Sequence, residues 1–128
     1  MFDRYVVVDD SLRNVTENGT TVGYAFDARI PYYRGLGLSM VEVDVVTDGH
    51  DVPRPNVAFS VHGNTYRSDQ MDEIYDDRWG FTEPATITVN RPGGLPPGDH
   101  VVTLKVVLRV SYMPTASGAV DTKTLRVS

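Results

Sequence analysis

The chain has 128 residues, no cysteine, three histidines, one tryptophan and a formal net charge of −5. That length suits one domain able to bury roughly two-thirds of its unfolded surface, and the missing cysteines exclude disulfides, thiolate zinc sites and a thiol nucleophile. Twelve Lys and Arg against seventeen Asp and Glu argue against nucleic acid, whose binding is dominated by phosphate neutralisation.

The chain opens Met1-Phe2-Asp3-Arg4-Tyr5, without the basic region and apolar stretch of a secretory leader. Its longest apolar runs, such as residues 5–8, are far too short to span a bilayer. The expectation is a cytoplasmic chain with no membrane partner, spanning 1–128 as a single domain.

Period-two alternation dominates, as in half-buried strands. A short strand is expected at residues 4–8, and Asn18-Gly19 is a turn signal ahead of a strand with Val22, Tyr24, Phe26, Ala28 and Ile30 on one face. Val41, Val43 and Val45 alternate with Met40, Glu42, Asp44 and Val46, and Asp48-Gly49-His50-Asp51 reads as a turn. Pro53-Arg54-Pro55 reads as a loop, because proline cannot donate to a ladder. Residues 57–67 form a hairpin around His62-Gly63-Asn64. The one helical candidate is 68–76, with Asp69, Gln70 and Asp72 at the positive end of its dipole. A strand follows at 85–89, then a Pro/Gly loop from Pro92 to Gly98. Val102, Leu104, Val106, Leu108, Val110 and Tyr112 line one face of a long strand. Its other face, with Val101 and Val107, is partly apolar, so the strand is expected to be central with its back covered. A last strand lies at 122–127. The fold class is all-β: an antiparallel β-sandwich, jelly-roll-like, of about eight strands with at most one short helical turn.

Catalytic constellations are sparse. His50, His62 and His100 share no HxH or HExxH spacing, so neither a cupin-like metal site nor a lone β-barrel enzyme is favoured. Asp69, Asp72, Glu73, Asp76 and Asp77 lack the alternating ligands and central glycine of a calcium loop and read as a solvated acidic segment. Glu42 and Asp44 lie about 7 Å apart by strand rise, a glycosidase-like separation that any polar strand face produces.

The segment Ile30-Pro31-Tyr32-Tyr33-Arg34-Gly35-Leu36-Gly37-Leu38-Ser39 is more informative. It places two tyrosines and an arginine in a Gly/Pro loop, where they either fold back over the sandwich end or form an interface of the kind Tyr and Arg favour. Tyr75, Trp79 and Phe81 form a second aromatic group in an irregular segment, Trp79 alone being the commoner core plug. Two aromatic-rich loops on a small acidic sandwich suggest a partner surface.

Pro31-Tyr32-Tyr33-Arg34-Gly35-Leu36, Leu38-Ser39, Val45 and Asp48-Gly49, followed by Trp79-Gly80-Phe81, Ala85, Leu95, Gly98, His100-Val101 and Arg109-Val110-Ser111-Tyr112-Met113-Pro114, resemble the small β subunit of bacterial C-glycoside deglycosidases. The resemblance covers most of the chain. It implies a β-sandwich accessory subunit, without catalytic residues or a cofactor of its own. The implied partner is a xylose-isomerase-like TIM-barrel α subunit holding a divalent metal, usually Mn2+, and a histidine base. The implied hetero-oligomer cleaves the C–C bond between a 3-oxo-glucosyl group and an aromatic, flavonoid-type aglycone. A C-glycosidic bond has no leaving oxygen to protonate, so the two-carboxylate strategy fails. A C3 ketone acidifies the C2 proton for a base and a metal to exploit. Within this reading Tyr32, Tyr33, Arg34 and Gly35 belong at the subunit interface or pocket mouth, and Trp79 and Phe81 are second candidates for interface or aglycone contact. The competing reading is a stand-alone carbohydrate-binding module, which also displays aromatics on a β-sandwich.

Overall fold

The computed structural model describes residues 6–30, 35–80, 83–109 and 117–127, the side chains of 117 and 118 excepted. Two antiparallel sheets face each other. The first has five strands: β1 (Arg13–Glu17), β2 (Thr20–Ala28), β9 (Ala85–Asn90), β6 (Val57–Val61) and β7 (Asn64–Arg67), in that spatial order. The second has four: β11 (Ser117–Val127), β10 (Gly98–Leu108), β4 (Val41–Thr47) and β5 (His50–Val52). A short ribbon pairs β3 (Leu36–Gly37) with β8 (Arg78–Trp79). The result is the all-β sandwich expected from the alternation.

The alternating apolar faces make the core. Tyr24, Phe26 and Ala28 from β2, Val57 and Phe59 from β6, and Ala85 and Ile87 from β9 meet Val41, Val43 and Val45 from β4 and Val102 to Leu108 on alternate positions of β10. Full burial of each large side chain contributes about 1.5–3 kcal/mol. Polar cross-links between the sheets are satisfied: the Tyr24 hydroxyl is 2.7 Å from Thr47 Oγ1, and Ser68 Oγ donates to the Val43 carbonyl at 2.6 Å.

Three hairpin turns carry the same backbone signature, with positive φ at consecutive residues: Asn18-Gly19 (51° and 80°), Asp48-Gly49 (51° and 80°) and His62-Gly63 (54° and 77°). Successive left-handed residues match the right-handed twist of the strands they join. His50 therefore begins β5 rather than sitting within the turn.

Other expectations change. Helical structure is confined to 3-10 turns at Leu38–Met40, Arg54–Asn56 and Ser68–Glu73 among the described residues, so the 68–76 candidate shortens and the proline loop coils. β10 is central, between β4 and β11, but no described element covers its back: Val101 is 43% exposed and Lys105 is also exposed. β-branched residues there serve strand propensity rather than burial. Of the strand expected at 4–8, Val7 makes one bridge to Ala28, and residues 4 and 5 lie outside the described residues. Val110 and Tyr112 also lie outside them. No helix among the described residues is long and apolar enough to cross a membrane.

Candidate functional site

The β3–β8 ribbon gathers the residues that flank both aromatic segments. Leu36 pairs with Trp79 and Gly37 with Arg78. Gly35 is buried so closely that a Cβ on it would lie 2.9 Å from the Trp79 carbonyl oxygen and 3.3 Å from Gly80 Cα. Only glycine permits that approach without a shift. Tyr32, Tyr33, Arg34 and Phe81 lie outside the described residues, but Gly35 and Gly80, which adjoin the two segments, are neighbours. Trp79 is not displayed: it is fully buried, edge-on to Phe59 with ring centroids 5.0 Å apart, and its Nε1 donates to the Glu83 carbonyl at 3.1 Å.

Beside the ribbon stands a polar cluster centred on Asp77. Asn64 and Tyr66 share one face of β7, as period two dictates, and His62 joins them from the β6–β7 turn, so all three reach one carboxylate. Tyr66 donates its hydroxyl to Asp77 Oδ2 at 2.7 Å, and Asn64 Nδ2 reaches the same oxygen at 3.4 Å. His62 Nδ1 and the Arg78 backbone N–H each reach Asp77 Oδ1 at 2.8 Å. His62 Nε2 is 2.8 Å from Glu83 Oε2. The hydrogen bond from Tyr66 leads a set that pulls the Asp77 carboxyl down to about 2, while that same bond to Asp77 pushes the Tyr66 phenol up to about 12. The Asp77 hydrogen bond, then that of Glu83, raises His62 above its ordinary value.

Carboxylates only accept, so a histidine between two of them donates from both nitrogens and is held as imidazolium. His62 thus ties the β6–β7 turn to the Trp79–Glu83 turn and offers no free nitrogen as a base.

The other candidates resolve similarly. His100, buried at the start of β10, places Nδ1 2.7 Å from Asp48 Oδ2 and Nε2 2.7 Å from the Pro96 carbonyl. Both partners accept, so this imidazole is also held charged. His50 is exposed at the first residue of β5. Glu42 and Asp44 face outward on β4, bridged by Arg54: its Nε and Nη2 reach the two Asp44 oxygens at 2.7 and 2.8 Å, and Nη1 reaches Glu42 at 3.4 Å. That bidentate pairing makes them an ion-pair network rather than a cleft pair. Among the described residues, no three His, Asp or Glu side chains group to hold a metal ion.

The histidine clamps give a pH prediction. The Asp48 hydrogen bond, then the Pro96 carbonyl, raises His100 above its ordinary 6.5, and the His100 bond in turn lowers Asp48 below 3.8. The histidine contribution is complete below pH 6.5 and is lost as pH rises through the higher folded value. The Asp48 contribution is present above 3.8 and is lost as pH falls through the lowered folded value. The melting temperature is therefore expected to fall as pH rises above 6.5, and His100→Gln to flatten that limb while lowering stability by about 1–3 kcal/mol. An unchanged alkaline limb in that variant would remove His100 as its source.

Residues 2–112 match the family described as C-glycoside deglycosidase beta subunit. The chain belongs to this family. The C-glycoside deglycosidase β subunit of Eubacterium cellulosolvens is 30% identical over 114 residues, covering 88% of this chain and 78% of that protein. The 3′-dehydrocarminate deglycosidase β subunit of a Microbacterium species is 31% identical over 118 residues, 91% of this chain and 84% of its own. The family's β subunit from Arthrobacter globiformis is 27% identical over 96 residues, 73% of each chain.

In this β-subunit family member, sequence reading missed Asp77 as a hub, because it sits in an acidic run whose other members are exposed. The available signal was the polar alternation His62, Asn64, Tyr66 opposite it.

Proposed function

We propose that this chain is the non-catalytic, pocket-completing β subunit of a heteromeric C-glycoside deglycosidase, a carbon–carbon lyase acting on 3-oxo-C-glucosides of aromatic, flavonoid-type aglycones. The family match across residues 2–112 carries the reading. The name of the Microbacterium relative specifies a 3′-dehydro substrate, in keeping with a sugar whose C3 ketone acidifies C2–H.

The partner is a xylose-isomerase-like TIM-barrel α subunit, which holds the divalent cation, Mn2+, and the base. That cation would supply Lewis acidity to the C3 ketone. Support comes from the chemistry of this chain: His62 and His100 have both nitrogens committed, and Glu42 and Asp44 are held by Arg54. What remains for this subunit is to wall the pocket and exclude water. Tyr32, Tyr33 and Arg34 belong at the pocket mouth in this reading, and Arg34 meets a carboxylate of the partner.

Co-expression with a xylose-isomerase-like α subunit, followed by an assay on a 3-oxo-C-glucoside with added Mn2+, tests the proposal. The pair is expected to turn over and each chain alone to be inactive. Arg34→Ala is expected to lower both complex yield on size exclusion and turnover by at least about tenfold. Turnover by this chain alone would overturn the accessory role, and an unaltered complex with full turnover would remove Arg34 from the interface.

A further inference from the structure

Tyr75 is 83% exposed, the most exposed large hydrophobic side chain among the described residues. It is nevertheless not on a loose loop. On one side Ile74 packs against the core, with its N–H on the Met71 carbonyl at 3.1 Å. On the other side Asp77 is only 11% exposed at its side chain and bonded to His62, Asn64, Tyr66 and the Arg78 N–H. Two anchored residues thus hold Tyr75 and Asp76 out into solvent, and much of the ordering cost of an interface aromatic is already met by the fold.

Tyr75 borders a groove of about 420 Å³ whose other walls are Gly37, Met40, Asp76, Asp77 and Arg78. Met40 supplies an apolar wall, being partly buried against the core. The groove wall carries one cation, Arg78, and the adjoining segment is negative. Asp69 is paired with Arg67 at 3.0 Å, whereas Asp72, Glu73 and Asp76 are exposed, with no ion pair among the described residues. The groove is continuous with the β3–β8 ribbon, through Gly37 and Arg78, and so with the residues flanking both aromatic segments.

We infer that this groove is a docking site for the partner subunit, receiving a lysine or arginine side chain between the Tyr75 ring and the Asp76 carboxylate. The inference rests on the reading of the chain as a subunit and names the described surface that makes the contact. An exposed aromatic face attracts a cation, the exposed carboxylates favour a basic partner over an acidic one, and a tyrosine whose backbone is anchored on both sides fits the role of anchor.

The test uses the full chain and the purified xylose-isomerase-like α subunit, with affinity measured at two salt concentrations. Tyr75→Ala is expected to weaken binding at least about tenfold, chiefly through faster dissociation, with its melting curve unchanged. Tyr75→Phe, which keeps the ring, is expected to stay within about threefold of the parent. Asp76→Asn is expected to reduce the salt dependence of association, and Val120→Thr on the opposite sheet to change nothing. Tyr75→Ala binding within about twofold of the parent overturns the inference while leaving the subunit reading intact. Absence of any binding by the parent chain overturns both. Saturable binding of methyl glucoside at Tyr75, with partner affinity unaffected by its removal, overturns the inference in favour of a sugar platform.

Discussion

Trp79→Ala is expected to destabilise the chain by about 3–5 kcal/mol, more than any exposed substitution, because it empties a fully buried site. The indole fills the space beneath the β3–β8 ribbon and packs edge-on against Phe59 at 5.0 Å with planes at 77°, an arrangement that adds about 0.5–1.5 kcal/mol beyond area. Its loss also leaves the Glu83 carbonyl without the Nε1 donor at 3.1 Å. Glu83 is the second carboxylate on His62, so Glu83 would lose one of its two ties to the scaffold. Denaturant unfolding is the direct measurement, with Trp79→Phe expected to recover more than half of the loss. A cost below about 1 kcal/mol for the alanine variant would mean that the ring is not a core plug.

Asp121→Ala is expected to cost about 2–4 kcal/mol, although it removes a buried charge. Inward positions of β11 carry Asp121 and Lys123 beside Leu125 and Val127. The pair serves the N-terminal segment. Val7 bridges Ala28 on one side, with Val8 N–H on the Asp27 carbonyl at 2.9 Å and Arg29 N–H on the Val6 carbonyl at 2.7 Å. On its other side Val7 N–H donates to Asp121 Oδ2 at 2.8 Å, and Lys123 Nζ donates to the Val7 carbonyl. The acid and the base stand in for the carbonyl and amide of a strand that is not there. They close one side of the sandwich, where a bare edge would invite pairing with another chain. Removing Asp121 strands a buried N–H and leaves Lys123 with Asp9, at 3.2 Å, as its remaining carboxylate. Asp121→Asn keeps an acceptor and is expected to cost about half as much. Hydrogen exchange at the Val7 amide should accelerate in the alanine variant; a protected amide there would show that the clamp is dispensable.

These two sites mark how far the residues could be read unaided. The core faces were legible because burial on a pleated strand imposes period two, and Val41-Val43-Val45, Val57-Phe59-Val61 and Ala85-Ile87-Val89 all follow it. The turns at Asn18-Gly19, Asp48-Gly49 and His62-Gly63 were legible because few residues tolerate positive φ. β1 was not, since an edge strand with mostly exposed side chains carries no alternation, and β3, β5 and β8 are too short to show any. The Asp77 hub joins residues 11 to 15 positions away, and the Asp121 clamp reaches back 114 positions to Val7. Spacing rules say nothing at such separations.

Strand alternation therefore determined the sandwich and its core faces, and the motifs from Pro31 onward pointed to the family to which the chain belongs. Tertiary structure alone decided how the remaining polar groups are used. It put His62 and His100 each between two acceptors, buried the single tryptophan, left Tyr75 as the aromatic on display among the described residues and turned an inward acid and base into an edge seal. The physical reason is that strand pattern is local, whereas the state of a histidine, a carboxylate or an aromatic depends on which distant groups the fold brings within about 3 Å of it.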